Sequence, residues 1–136
     1  MPEEARAPGS VGGGAVPYRP PPAWRRLLSR RVEVRERSMQ PALRPGDRVL
    51  VDPRAYRHAS PSVGDVVLVR DPEGSPARLI KRIALPPRPV DPGRLWLAGD
   101  DPSVSRDSRQ FGPVDRELVV GRAWYIYAPA DRRGPL

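Results

Sequence analysis

The chain contains no cysteine and only one histidine, His58. Without cysteine there is no disulfide framework, no thiol nucleophile and no zinc site built on thiolates, so packing alone must hold the fold. His58 sits in the polar stretch Arg57-His58-Ala59-Ser60-Pro61, the setting of a solvated loop residue rather than of a catalytic imidazole, which argues against a Ser-His-Asp triad. Long apolar runs are missing as well. A secretory signal needs roughly 7 to 15 uninterrupted apolar residues and a membrane anchor about 20. Arginines interrupt every candidate stretch, so a soluble, cytoplasmic protein is expected.

Lysine is nearly absent. Of 24 basic residues, 23 are arginine and one, Lys81, is lysine. A bias towards arginine explains the replacement and leaves Lys81 either a chance survivor or a residue arginine cannot substitute. The second reading has a chemical basis: guanidinium stays protonated at any workable pH, whereas an ammonium buried among apolar groups can lose its proton near neutrality and serve as a base.

Proline and glycine, by contrast, are plentiful, with 20 and 12 in 136 residues. Each proline removes a backbone donor and blocks helix propagation, which excludes a helical bundle and favours short strands and loops in a single domain. Residues 1–23 hold ten prolines and glycines, among them Gly12-Gly13-Gly14 and Pro20-Pro21-Pro22, and are expected to be disordered. Trp24 to Arg31 has the pattern of a short helix with Trp24, Leu27 and Leu28 on one face. It is either a lead-in packed on the domain edge or a peripheral membrane contact. The net charge of +8 attracts nucleic acid and anionic membranes alike without choosing between them.

Beyond residue 31, runs rich in valine, leucine and isoleucine are separated by turn signals. Strands are expected at Val32–Val34, Arg48–Val51, Val66–Val69, Leu79–Ile83, Leu95–Ala98 and Leu118–Tyr127, with turns at Pro45-Gly46-Asp47, Val63-Gly64-Asp65 and Pro92-Gly93. The fold class is therefore mainly β, an antiparallel domain over residues 24–129 with few or no helices and a frayed tail at 130–136.

Three segments carry chemistry. In Ser38-Met39-Gln40-Pro41 a serine follows the first strand on a turn stiffened by proline, where its hydroxyl and its own N–H can face one cleft; alone, it is equally an ordinary turn serine. In Leu79-Ile80-Lys81-Arg82-Ile83, strand alternation puts Lys81 on the face of Leu79 and Ile83. Desolvation there lowers an ammonium pKa, unless the lysine snorkels from a sheet edge into water. The polar loop Gly99 to Arg109 is rich in hydroxyls and carboxylates and is either a hydrogen-bonded platform beside a cleft or a solvated connection.

Together these segments resemble the signal peptidase I family. Its Ser-Met-x-Pro box is matched by residues 38–41, its Lys-Arg pair by Lys81-Arg82 and its Gly-Asp-Asn to Asp-Ser-Arg box by residues 99–109, in the family's order. The resemblance implies a signal-peptidase-like β domain, Ser38 as nucleophile, Lys81 as general base, Ser105 as the residue orienting the lysine, and Asp107 with Arg109 as a supporting ion pair. The Ser38 N–H is implied as an oxyanion donor. Where some members carry a second hydroxyl donor this chain has Glu36, and Asp101 replaces the family's asparagine. No cofactor or metal is implied.

Within the family the chain looks like the short soluble branch that trims the leader of nickel-type superoxide dismutase, whose precursor would be the partner; nickel would then belong to the substrate. A general leader peptidase tethered by a partner remains an alternative. So does a self-cleaving repressor-type protein, although no helix-turn-helix precedes the β domain. A non-enzymatic nucleic-acid module using the basic segment Arg25 to Arg37 would leave Ser38, Lys81 and residues 99–109 unexplained, so no nucleic-acid partner is expected.

Overall fold

The structure, a computed structural model, describes residues 18–136. Its strands are β1 (Arg30–Glu33), β2 (Arg48–Asp52), β3 (Val66–Arg70), β4 (Arg78–Ala84), β5 (Arg94–Ala98), β6 (Val114–Asp115), β7 (Val119–Ala128) and β8 (Gly134–Pro135). The two short α-helices are α1 (Ala23–Arg26) and α2 (Ser108–Phe111). Every pairing is antiparallel, in the order β1-β2-β7-β3-β4-β5-β6 with β8 added to β7. The domain is mainly β, as expected.

Val66 to Val69 is apolar without alternation because β3 is covered on both faces. Val66 and Leu68 enter a cluster with Val34, Met39, Leu43, Val49, Val51, Ala123 and Ile126. Val67 and Val69 enter a second cluster with Ile83, Leu97 and Val114. β3 thus joins the two halves of the core, and β4, its partner, lies beside both: Ile80 packs on the first cluster, Leu79 and Ile83 belong to the second.

One expectation differs from what is found, and both ends of the described chain make contacts with the sheet. The helix expected from Trp24 to Arg31 ends at Arg26, because Arg30–Glu33 is paired with Arg48–Val51 and a paired strand fixes an extended backbone whatever its helix propensity. Of its expected apolar face, Leu27 is 85% exposed and Leu28 also faces solvent; the side chain of Trp24 lies outside the described ones. Of the stretch 1–23 expected to be disordered, residues 1–17 lie outside the described residues, while the Tyr18 hydroxyl donates to Asp52 at 3.2 Å and its ring lies under the Arg122 guanidinium. In the tail expected to fray, Gly134 and Pro135 pair with β7, and Arg132 reaches the buried Asp47 with two hydrogen bonds of 2.7 and 2.8 Å. Among the described residues no helix is long and apolar enough to cross a membrane.

Candidate active site

Ser38 belongs to a loop, residues 34–47, whose two ends are tied together. Val34 N–H donates to the Asp47 carbonyl and Gly46 N–H to the Val34 carbonyl, both at 2.8 Å. Gly46 makes the closing turn with φ of +97°, a region that side chains with a Cβ rarely enter. Inside the loop Met39 and Leu43 are buried in the first core cluster, so the residue just before Met39 has little freedom. Ser38 is itself buried and opens onto a cavity of about 760 Å³.

Lys81 lines the same cavity, together with Glu36, Met39, Leu68 and Arg106. It lies opposite Val67 in the β3–β4 register and is 4% exposed, so it is buried rather than snorkelling. Burial pushes the ammonium pKa below its ordinary value. The negative charges of Asp107 and Glu36 oppose that shift, and the positive charges of Arg106 and Arg109 assist it.

The Lys81 Nζ donates to Ser105 Oγ at 3.1 Å, and Ser105 Oγ donates to Asp107 Oδ2 at 2.6 Å. The direction of this line is dictated by its far end. Burial alone would raise the Asp107 carboxyl, but hydrogen bonds from Arg109, Ser105 and the Gly99 N–H outweigh it and hold the group well below the usual carboxylate range. Asp107 is therefore an ionised acceptor, which commits the Ser105 proton to it and leaves Ser105 only lone pairs to offer Lys81. A neutral Lys81 amine must then donate to Ser105, which keeps its own lone pair available to another group.

Arg109 completes the arrangement. Its Nε and Nη2 donate to the two Asp107 oxygens at 2.9 and 2.5 Å, neutralising a carboxylate that would otherwise favour the protonated lysine. Asp107 also caps α2: its side chain accepts from the Arg109 N–H, and Gln110 reaches back to the Asp107 N–H. One carboxylate thus fixes both the Ser105 hydroxyl and the start of the helix that carries Arg109.

The structure brings all five candidate residues together. Ser38 and Lys81 line the same cavity, and Ser105, Asp107 and Arg109 stand behind Lys81. It also shows contributors that sequence reasoning missed. The Asp101 N–H donates to the Ser38 carbonyl at 2.8 Å, linking the third segment directly to the first. Arg82 binds both Asp100 oxygens at 2.8 Å, which anchors the start of that segment to β4 beside Lys81. Ser108 Oγ accepts from the Leu97 N–H at 2.8 Å. The Lys81-Arg82 and Gly99-Asp100 pairs already carried part of this signal, since opposite charges on adjoining strands of a hairpin favour pairing. Among the described residues no three His, Asp or Glu side chains are grouped to hold a metal ion.

Comparison with known proteins agrees with this architecture. The chain matches the family model described as signal peptidase, peptidase S26, over residues 23–88 and 85–128. It is 33% identical over 115 residues to mitochondrial inner membrane protease subunit 2 of Schizosaccharomyces pombe, covering 72% of this chain and 64% of that protein. It is 34% identical over 118 residues to mitochondrial ATP-independent inner membrane protease subunit 1b of Arabidopsis thaliana, covering 73% and 70%. It is also 27% identical over 139 residues to probable signal peptidase I-1 of Synechocystis, covering 73% and 71%. The chain is thus a serine peptidase-type β domain, and it belongs to the signal peptidase, peptidase S26, family.

Proposed function

We propose that the protein is a serine endopeptidase that removes amino-terminal leaders from precursor proteins, with Ser38 as nucleophile and Lys81 as general base. The observation that carries this reading is the line Asp107, Ser105, Lys81, which ends in the cavity that Ser38 also lines.

The proton ledger balances with these groups alone. The neutral Lys81 Nζ accepts the Ser38 hydroxyl proton as Ser38 Oγ bonds to the scissile carbonyl carbon. When the tetrahedral intermediate collapses, the C–N bond breaks and Lys81 returns the proton to the departing amine, leaving an acyl ester on Ser38. Water then gives a proton to Lys81 and attacks the ester; the C–O bond to Ser38 breaks and Ser38 recovers its proton. The Ser38 N–H is the proposed oxyanion donor. An ionised Glu36 only accepts hydrogen bonds, so in that state it cannot be the second donor.

Within this class the precursor of nickel-type superoxide dismutase is the substrate we put first, acting in the cytoplasm; it follows from the sequence's likeness to that branch. The relatives described above are named as inner membrane protease subunits and a signal peptidase, and those names favour a wider range of leader-bearing precursors as the second reading. Intact-mass analysis decides between them. The dismutase precursor and a secretory preprotein are each incubated with the wild type and with Ser38→Ala and Lys81→Ala. Loss of the dismutase leader with the wild type alone supports the first reading, and cleavage of only the preprotein supports the second. Equal cleavage by Ser38→Ala contradicts both.

A further inference from the structure

Ser105 and Asp107 turn inwards and are buried, while Arg106 between them turns outwards with its side chain 44% exposed. It does not extend into solvent. Its Nη2 donates to Asp71 Oδ2 at 2.8 Å, its Nη1 donates to Glu73, and the guanidinium carbon lies 5.5 Å from the centre of the Phe111 ring. Both carboxylates belong to the turn that joins β3 to β4, the strand that carries Lys81.

Asp71 is a rigid anchor. It is buried, and it also accepts from the Glu73 N–H at 2.9 Å and the Ser75 hydroxyl at 2.6 Å, contacts that with Arg106 hold its carboxyl down at about 2. The same two units are therefore joined twice. The inner tie is the hydrogen bond from Lys81 to Ser105; the outer tie is Arg106 on Asp71 and Glu73.

We propose that Arg106 is a positioning residue for the reaction, fastening the segment that bears Ser105 to the hairpin that bears Lys81 so that the lysine stays aimed at the cavity. The proposal rests on Lys81 being the base. An isolated surface ion pair would contribute little, but a guanidinium spread over two carboxylates, one of them buried, and stacked on an aromatic ring restricts its own backbone. Arg106 also contributes to the wall of the cavity that Lys81 lines, and its positive charge acts on Lys81 from there. The charged groups acting on Lys81 are Asp107 and Glu36, which favour its protonation, and Arg106 and Arg109, which oppose it.

The test is the pH dependence of kcat and KM on a leader-bearing precursor for the full chain and for Arg106→Gln, Arg106→Lys and Lys81→Ala, with Tm measured for each. Arg106→Gln is expected to lose about tenfold or more in kcat, as misplacement of a reacting group does, with KM within about twofold. Its acidic limb should move to higher pH, because a positive charge that disfavours protonation of Lys81 is gone. Arg106→Lys should restore the limb while recovering only part of kcat, since an ammonium does not bridge two carboxylates in the same fixed geometry.

A kcat for Arg106→Gln within about twofold of wild type overturns the proposal; a lowered Tm with kcat and KM changed together and an unmoved limb overturns it too. Should Arg106→Gln not fold, Arg106→Lys decides: reduced kcat with an unmoved limb supports the proposal, and wild-type kcat overturns it. Wild-type activity in Lys81→Ala would instead remove the dyad reading, whatever Arg106 does.

Discussion

Gly99 has no side chain because none would fit. A Cβ there would collide with Ser105 Oγ and come within 2.7 Å of the Ser38 carbonyl oxygen, while the Gly99 N–H donates to Asp107 at 2.8 Å. It is the point at which the Ser38 turn, Ser105 and Asp107 come into mutual contact. Gly99→Ala must push at least one of them away. The expected result is a stability loss of about 2 kcal/mol from overpacking and a fall in kcat of about a hundredfold from displacement of Ser38 and Ser105. Steady-state kinetics beside a denaturant titration checks this, and a variant that keeps wild-type kcat would show that Ser105 and Ser38 need not sit where Gly99 leaves them. Lys81 stood out in the sequence as the one lysine, whereas Ser38, Ser105, Asp107 and Arg109 were marked by the joint resemblance to the signal peptidase I family, since a serine in a proline turn or a polar loop is ambiguous alone. Gly99 and Arg106 could not be weighed in that way, because their importance depends on the Ser38 carbonyl and on Asp71, which only folding brings near them.

The elements were legible in proportion to how many side chains they bury. Six strands announced themselves as apolar runs between turn signals, and all six are present. β6 and β8 are two residues each and too short to show any period, so only their pairing to β5 and β7 reveals them. The contacts of the terminal segment were hidden for a related reason. Ala130 to Leu136 is polar in sequence, yet its Arg132 is matched to Asp47 at the base of the Ser38 loop, 85 residues away. That pair also binds the Arg44 N–H and the Ala42 carbonyl, so the last element of the chain braces the loop that holds the candidate nucleophile. Arg132→Ala is therefore expected to lower Tm more than Arg133→Ala, whose guanidinium reaches only the Tyr127 carbonyl from an exposed position. Thermal unfolding followed by circular dichroism measures the difference, and equal Tm values would mean that Asp47 needs no partner from the tail.

Across the whole molecule, two apolar clusters joined through β3 provide the rigidity, and a buried lysine draws on it. Because burial lowers the Lys81 pKa from 10.5, the unfolded chain binds more protons than the folded one between the two values. Stability from this group therefore rises with pH and is fully regained only above the unfolded value; at neutral pH the fold carries Lys81 at a cost. Such a cost is common where a protein keeps a neutral base ready inside its core.

Lys81 is the chain's only lysine, so protein grown with lysine labelled with 13C at the ε-carbon gives one side-chain lysine signal to follow against pH. The expected titration midpoint lies clearly below 10.5 and coincides with the acidic limb of kcat/KM, because only the neutral amine can take the Ser38 proton. A midpoint at the ordinary lysine value, with activity already full well below it, would contradict the assignment of Lys81 as the base.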